Sequence, residues 1–219
     1  MNIKEVKNQS IVFWDEYFKN YPAFKIQKSD VTIDTSLDEC LKFLGDNCQE
    51  VLDVGCGDGV CLMEIALIGE KIKSCLGVDS SLNAVNKATE IVNLSNIEKI
   101  KFVQGDENYL KTIPSQSYEG IYCSNFLDVI PVEISDVVIQ EMIRIIKPKG
   151  YLLLKFNFVL TNDLIEKLKM VEIAKNTYAM NRSTEGWIRL FPDFKVLRID
   201  EFERAPGLPK DRIILLQKD

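Results

Sequence analysis

The chain has 219 residues, a net charge of -6, no histidine, and 46% hydrophobic residues. That length and hydrophobic content suffice to bury about 70% of the unfolded surface in one core, so we expect one main domain. The acidic balance argues against a nucleic-acid partner, and no stretch approaches the roughly 20 apolar residues of a membrane span.

An aromatic cluster lies near the N-terminus, within residues 11–24. Phe13, Trp14, Tyr17 and Tyr21 recur at helical spacing, which predicts an amphipathic helix with one aromatic side. This side either packs the helix onto the rest of the chain or, through Trp14 and Tyr17, contacts a ligand.

Residues 51–59 form an apolar run that is broken by Asp53 and followed by glycine at every second position. The pattern predicts a buried parallel strand and a sharp turn, because glycine lets the backbone turn and approach a ligand closely. A dinucleotide-binding turn would have its third glycine at Val60, so a nicotinamide-dependent oxidoreductase is disfavoured. Asp53 and Asp58 would also repel a phosphate. The loop therefore indicates a site for a cation.

Two further strand patterns end in acids. Residues 74–79 end in Asp79, about 20 residues after the glycine turn, where a carboxylate is placed to accept both hydroxyls of a ribose. The alternative is that Asp79 and the serines after it only cap the next helix. Residues 99–105 are followed by Asp106, which taken alone is an ordinary turn. The glycine loop and the two acidic strand ends occur in order and at regular separation, so together they are stronger evidence for a binding site than each is alone.

Residues 118–128 contain a fourth apolar segment. A helical pattern over residues 132–146 stops at residues 147–150, because proline and glycine end helices, and residues 152–156 follow as a fifth strand. Any positive φ in this turn is expected at Gly150.

The last third of the chain is predicted to contain two helices and two strands. Residues 161–182 have apolar positions at helical spacing and predict an amphipathic helix. Another helix is predicted to begin within residues 183–187. Apolar runs at residues 196–200 and 212–216 predict the two closing strands.

Together these segments resemble the motifs of the class I, Rossmann-like S-adenosylmethionine-dependent methyltransferases. The resemblance implies an α/β fold, with a doubly wound, mostly parallel seven-stranded sheet, helices on both faces, an antiparallel last strand and an N-terminal helical extension. We divide the chain into this lid or extension, residues 1–36, and the methyltransferase domain, residues 37–219. Residues 157–194 are expected to be a helical insertion near the acceptor site.

The resemblance also implies the cofactor, S-adenosyl-L-methionine, with S-adenosyl-L-homocysteine as its product. Asp106 resembles the acid that accepts from the adenine amino group, and the fourth strand of the family ends beside the methyl group. A leading helix in similar enzymes folds over the cofactor. The candidate cofactor-binding residues are Asp53, Gly55, Cys56, Gly57, Asp79, Ser80, Asp106, Glu107, Cys123 and Asn125. The candidate substrate contacts are Trp14, Tyr17 and Phe126.

The absence of histidine removes the usual general base at neutral pH. Methyl transfer tolerates this, because the sulfonium is already activated and holding the acceptor in line supplies ~7 to 11 kcal/mol. An amine, thiol or enolate acceptor needs no strong base. For a hydroxyl acceptor, the candidate catalytic residue is Asp128, whose alternative role is that of a solvated loop acid.

The chain contains six cysteines and no C-x-x-C pair. Most of these cysteines lie within strand or helix patterns, which predicts reduced, structural thiols and no metal site. Cys56 and Cys123 are expected to line the cofactor pocket without reacting. The N-terminus lacks the apolar core of a signal peptide, so we expect a cytoplasmic protein.

The favoured function is methyl transfer from S-adenosylmethionine to an O, N, S or C nucleophile of a small-molecule acceptor by in-line displacement. The alternatives are a nucleic-acid or protein methyltransferase and a non-catalytic module that binds S-adenosylmethionine. Residues 124–127 lack the Asn-Pro-Pro-Tyr-like sequence that amino-directed nucleic-acid methyltransferases carry at this place. We expect no membrane partner and either a monomer or a homodimer.

Overall fold

A computed structural model of the chain describes residues 3–157, 170–174, 177–180, 182–203, 207 and 210–219. For residues 3–6, 170–174 and 177–180 it describes the backbone alone. No helix in these described ranges is both long enough and apolar enough to cross a bilayer.

The elements alternate between helices and strands along most of the chain. The helices are α1 (Ile3–Lys19), α2 (Ser36–Asn47), α3 (Val60–Ile68), α4 (Leu82–Ser95), α5 (Glu107–Leu110), α6 (Val132–Ile145) and α7 (Thr184–Ile188). The strands are β1 (Glu50–Val54), β2 (Ser74–Asp79), β3 (Ile100–Gln104), β4 (Tyr118–Ser124), β5 (Ile146–Phe156), β6 (Met170–Ala174), β7 (Thr177–Met180), β8 (Phe194–Phe202) and β9 (Asp211–Lys218).

Seven of the strands form one sheet in the order β3-β2-β1-β4-β5-β9-β8. The strands from β1 to β5 pair in parallel, and β9 runs antiparallel to both of its neighbours, β5 and β8. The predicted α/β fold with an antiparallel last strand is therefore confirmed. Because the chain leaves β1 toward β2 on one side and reaches β4 on the other, a crevice is expected at the carboxyl ends of β1 and β4.

The core consists of two apolar clusters, one on each face of the sheet. Val51 and Leu52, adjacent in β1, are fully buried and belong to opposite clusters, as the alternation of side chains along a strand requires. The Val51 cluster includes residues of α2, α3 and α4, whereas the Leu52 cluster includes residues of α5, α6 and α7. Helices thus cover both faces and leave the carboxyl ends of the central strands for a site.

The prediction of a helix over residues 161–182 is wrong over part of its length. The segments 170–174 and 177–180 form β6 and β7, a separate antiparallel pair. Val171 and Ile173 are separated by the polar residue Glu172, and their β-branched side chains favour a strand over a helix. The structure therefore does not support the expected helical insertion over these residues, and the first nine predicted helical positions lie outside the described residues.

Residues 147–150, predicted as a turn before the fifth strand, lie within β5 and also differ from the prediction in their backbone conformation. Lys149, and not Gly150, has the positive φ, at 62°. The missing side chain of Gly150 instead allows a close approach, because a Cβ there would lie 2.8 Å from the carbonyl oxygen of Glu119 and 2.9 Å from that of Lys147. The chain therefore places a residue with a Cβ in the left-handed region, at a cost of about 1 to 2 kcal/mol relative to glycine.

We expect Lys149→Gly to raise the free energy of unfolding by about 0.5 to 1 kcal/mol, because relief of the left-handed strain exceeds the added chain entropy of glycine. Gly150→Ala should lower it by about 1 to 3 kcal/mol through the two carbonyl contacts. Urea unfolding of both variants measures these changes. A stabilising Gly150→Ala would contradict the assigned roles of the two residues.

Candidate functional site

A cavity of about 420 Å³ lies at the carboxyl ends of β1, β2 and β4, under α1. The loops after these strands and after β3 supply its polar lining, and α1 and α6 supply apolar side chains. Twelve of the fourteen site residues predicted from the sequence line the cavity. They are Trp14, Tyr17, Asp53, Gly55, Cys56, Gly57, Asp79, Ser80, Asp106, Glu107, Asn125 and Phe126.

The glycine loop after β1 needs its glycines for two physical reasons. Gly55 and Gly57 have positive φ values of 74° and 54°, a region that residues with a Cβ rarely adopt. A Cβ on Gly55 would also collide with the ring of Phe126, and a Cβ on Gly57 would lie 3.0 Å from the ring of Phe18. Two aromatic rings can therefore pack directly on the loop backbone at the edge of the cavity.

Asp79, at the end of β2, is held in a fixed position by the backbone. One carboxylate oxygen accepts from the amide of Gly57 at 2.9 Å, and the other accepts from the amide of Ser81 at 2.8 Å. Burial raises the pKa of Asp79 against the opposing effect of these hydrogen bonds. The carboxylate joins the first two loops of the site and still lines the cavity, which fits an acceptor for ribose hydroxyls.

Asp53 is a buried carboxylate that lacks a full set of partners. The residue is only 2% exposed, and its Oδ1 atom has no hydrogen-bond partner among the described residues. Burial, together with the negative charges of Asp79 and Asp58, raises its pKa well above the usual range. Because an ionised carboxylate without a partner is costly in such a place, a cationic ligand in the cavity would stabilise it.

Asn125 adds a second unpartnered polar atom to the lining. It follows β4 with a φ of 47°, a left-handed conformation that asparagine tolerates better than most residues. Its Oδ1 atom is buried and has no partner in the described part of the chain. With the backbone of the glycine loop, Asp53 and Asn125 therefore offer acceptors to a ligand that carries an ammonium group.

Asp106 and Glu107, after β3, are joined to α1 by an ion pair. The Lys7 ammonium lies 2.9 Å from Oδ2 of Asp106 and 2.7 Å from each carboxylate oxygen of Glu107. Burial tends to raise the pKa of Asp106, but the hydrogen bonds from Lys7 and Asn108 outweigh it, so that this pKa is lowered. The predicted adenine acceptor therefore lies in the cavity lining and already has a cationic partner.

The predicted N-terminal helix is present as α1 and covers the cavity. Its Asp15 accepts from the hydroxyl of Ser81 at 2.7 Å and from the amide of Asn83 at 3.0 Å, at the N-terminus of α4. Trp14 lies edge-on to Tyr17, with ring centroids 5.6 Å apart, and Phe18 packs on the glycine loop. The helix therefore packs on the main domain and also lines the cavity, and the ligand contact of Trp14 and Tyr17 stays a prediction.

The structure places Cys123 and Asp128 outside the cavity lining. Cys123 is buried in the cluster on the α6 face, because alternate residues of β4 point to opposite faces and Tyr122 and Ser124 line the cavity. Asp128 is only 1% exposed, so it is not a solvated loop acid either. These positions do not fit a cofactor contact by the Cys123 side chain or proton abstraction from an acceptor by Asp128.

Asp128 instead belongs to a buried polar network. Its Oδ2 atom accepts from the amide of Asn157 at 2.9 Å and from its side-chain nitrogen at 2.8 Å, while the carbonyl of Asn157 accepts from Arg212 at 3.1 Å. Burial raises the pKa of Asp128, with the Asn157 hydrogen bonds and the Arg212 charge opposing it. The carboxylate thus holds the end of β5 beside the site.

Several lining residues were missed at the level of sequence. Lys7 contacts an acid 99 positions away, and no local pattern indicates such a pair. Phe18 lies within the aromatic cluster but was not singled out. The apolar wall of the cavity consists of the lining residues Ile11, Leu110, Val129, Ile130, Ile134 and Val138. No group of three or more metal-ligating side chains occurs among the residues that the structure describes.

Comparisons with known proteins point to one enzyme family. The family model described as "Methyltransferase domain" matches residues 46–193, more than half of the chain. A curated relative, the tRNA (guanine-N(7)-)-methyltransferase of Helicobacter pylori, is 25% identical over 171 residues, which cover 70% of this chain and 42% of that protein. The chain spans no more than 61% of the length of the first curated relatives that it matches.

Solved structures share the fold. The PH0226 protein from Pyrococcus horikoshii has a TM-score of 0.67 at 18% identity, covering 93% of this chain and 99% of that one. A SAM-dependent methyltransferase from Aquifex aeolicus has a TM-score of 0.61 at 21% identity, covering 84% of this chain and 90% of that one. The fold of this chain is therefore that of class I methyltransferases.

Asp128→Ala should lower the free energy of unfolding by about 1 to 3 kcal/mol, because it leaves two buried donors of Asn157 without an acceptor. Binding of an adenosyl ligand in the cavity should not change, since the side chain lies outside the lining. Urea unfolding and titration calorimetry test the two halves of this prediction. Asp136→Ala, which alters an exposed acid of α6, is the control, and lost ligand affinity in a folded Asp128→Ala protein would contradict the assignment.

Proposed function

The chain belongs to the methyltransferase-domain family, and on this premise we propose that it transfers the methyl group of S-adenosylmethionine to a small molecule. The observation that carries the proposal is the set of carboxylates Asp53, Asp79 and Asp106, which lie at or near the carboxyl ends of three strands and line one cavity. Such a set suits a nucleoside that carries a cation and disfavours one that carries phosphates.

We assign the adenosyl contacts to the loops of the central strands. Asp79 would accept from the ribose hydroxyls, and Asp106 from the adenine amino group. The unpartnered oxygens of Asp53 and Asn125 would accept from the ammonium group of the methionine part, beside the backbone of Gly55. When bound, S-adenosylmethionine supplies a methyl group on a sulfonium, which is an activated leaving group.

The chain's own contribution to the reaction is then to hold the acceptor and exclude water. Trp14 and Tyr17 of α1 and Phe126 after β4 are aromatic residues of the cavity lining, and we assign them to the acceptor. Orientation of this kind supplies ~7 to 11 kcal/mol without a base. With no histidine in the chain and Asp128 outside the lining, we propose an acceptor with a largely apolar body and an amine, thiol or enolate nucleophile.

The same geometry supports the proposed division of the chain. Residues 1–36 carry α1, which lies over the cavity, and residues 37–219 carry the sheet and the loops that form it. We therefore assign the N-terminal segment to a lid that completes the site.

An RNA acceptor is the second candidate, because the curated relative from Helicobacter pylori is a tRNA methyltransferase. Charge opposes it: the chain has a net charge of -6, and most of the charged side chains around the cavity are carboxylates, which repel a phosphate backbone. The proposal therefore keeps the small molecule as the acceptor and makes RNA an outcome of the test.

Purified protein incubated with methyl-labelled S-adenosylmethionine and a cell extract should transfer the label to the fraction of low molecular mass. The extract is separated into small molecules, RNA and protein, and a protein variant with Asp53→Ala is the matched control. Label in RNA that persists at raised salt would support the second candidate. Tight binding of S-adenosylhomocysteine without label in any fraction would contradict an enzyme and favour a binding module.

Asp79→Ala should weaken the binding of S-adenosylhomocysteine by ~10- to 100-fold, from the loss of ~1.4 to 2.8 kcal/mol. Asp79→Asn should have a smaller effect, because the amide oxygen can still accept from Gly57 or Ser81. Calorimetry gives the affinities, and circular dichroism checks that each variant is folded. Asp193→Ala, an exposed acid outside the cavity lining, is the control. Equal affinity of wild type and folded Asp79→Ala would falsify the ribose contact.

A further inference from the structure

Lys7 brings a cation of the chain itself to the acids after β3. Its ammonium lies within 2.9 Å of Asp106 and within 2.7 Å of both carboxylate oxygens of Glu107. The side chains of Lys7 and Glu107 are 21% and 17% exposed, so the contact is partly shielded from water. All three residues line the cavity.

The second oxygen of Asp106 is also in use. Its Oδ1 atom accepts from the amide of Asn108 at 2.9 Å, a contact that caps α5. Oδ2 accepts from the Lys7 ammonium at 2.9 Å and from the side-chain nitrogen of Asn108 at 3.4 Å, so the ammonium is its shorter and charged partner. An amino group that arrives at Asp106 finds its acceptor already paired with a stronger, charged donor.

The ammonium has an alternative position that keeps most of its contacts. Glu107 offers two oxygens at 2.7 Å, so Lys7 can leave Asp106 and remain paired. The body of α1 is held independently, because Asp15 is hydrogen-bonded to Ser81 and Asn83 at the start of α4. Replacement of the Lys7 ammonium by another donor at Asp106 therefore costs Lys7 one contact and does not require α1 to detach.

We propose that Lys7 competes with the amino group of the bound adenine for Oδ2 of Asp106, and that ligand binding moves the ammonium onto Glu107 alone. The inference rests on the proposed function, since it takes Asp106 as the adenine acceptor. Lys7 is thereby a residue that sets how strongly the site selects a 6-amino purine. When Lys7 is present, the adenine amino group gains only the difference between its own hydrogen-bond energy at Oδ2 of Asp106 and that of the ammonium that it displaces.

The test uses 5′-methylthioadenosine, which has the adenine and ribose but no charge, and its analogue with hydrogen in place of the 6-amino group. Calorimetry gives the ratio of the two affinities in wild type, in Lys7→Met and in Lys87→Met. Lys87→Met removes an ion pair with Glu90 on α4 and is the matched control. Taking the ratio cancels any effect of the variant on the lid, because both ligands need the lid equally.

We expect the preference for the amino compound to rise about two- to tenfold in Lys7→Met and to stay unchanged in Lys87→Met. Glu107→Gln should act in the opposite direction, because it removes the charge that receives the ammonium, and Lys7→Met should restore the preference in the double variant. An unchanged or smaller preference for the amino compound in Lys7→Met would overturn this inference and leave the proposed function standing. Failure of the wild type to bind S-adenosylhomocysteine would overturn the proposed function together with it.

Discussion

The site depends on the hydrogen bonds that join the glycine loop to the end of β2. The amides of Gly55 and Cys56 donate to the carbonyl of Val78 at 2.9 and 3.1 Å, and the amide of Gly57 donates to Asp79 at 2.9 Å. These contacts place the loop of the central strand and the carboxylate of its neighbour in one rigid unit. The rest of the lining, including the rings of Phe18 and Phe126, packs against a backbone that only glycines can bring so close.

Sequence reasoning succeeded where the signal is local. Strand ends carry their acids at fixed positions, so the places of Asp53, Asp79 and Asp106 along one sheet edge follow from strand order and parallel direction. Alternation along β4 could also have predicted that the Cys123 side chain points away from the cavity, because its two neighbours in sequence line it. Lys7 could not be found in this way, since it meets Asp106 only through the packing of α1. Strands β6 and β7 could not be found from the sequence either. A short apolar pattern fits both the helical and the strand period, and the pairing of the two strands decides between them.

The lining concentrates like charges in a place where each is partly desolvated. Burial is the main cause that raises the pKa of Asp53, Asp58 and Asp79, and for Asp53 the other two acids add to it. Without a ligand, this arrangement opposes ionisation and lowers stability relative to a neutral lining. A cation in the cavity reverses the sign of the effect, because it stabilises the charged form of every carboxylate that it approaches. The electrostatic cost of placing these acids together therefore also favours a cationic ligand over an anionic one.

Helix α1 contacts the main domain at two points of different chemistry. Near its C-terminal half, Asp15 accepts from the start of α4, a contact that does not involve the cavity acids. Nearer its N-terminus, Lys7 neutralises part of the charge of Asp106 and Glu107. The first contact keeps the helix over the site, and the second can change partner without moving it. A lid that is anchored in this way can stay over the cavity, stabilise its acids through Lys7, and still yield one carboxylate oxygen to a nucleoside.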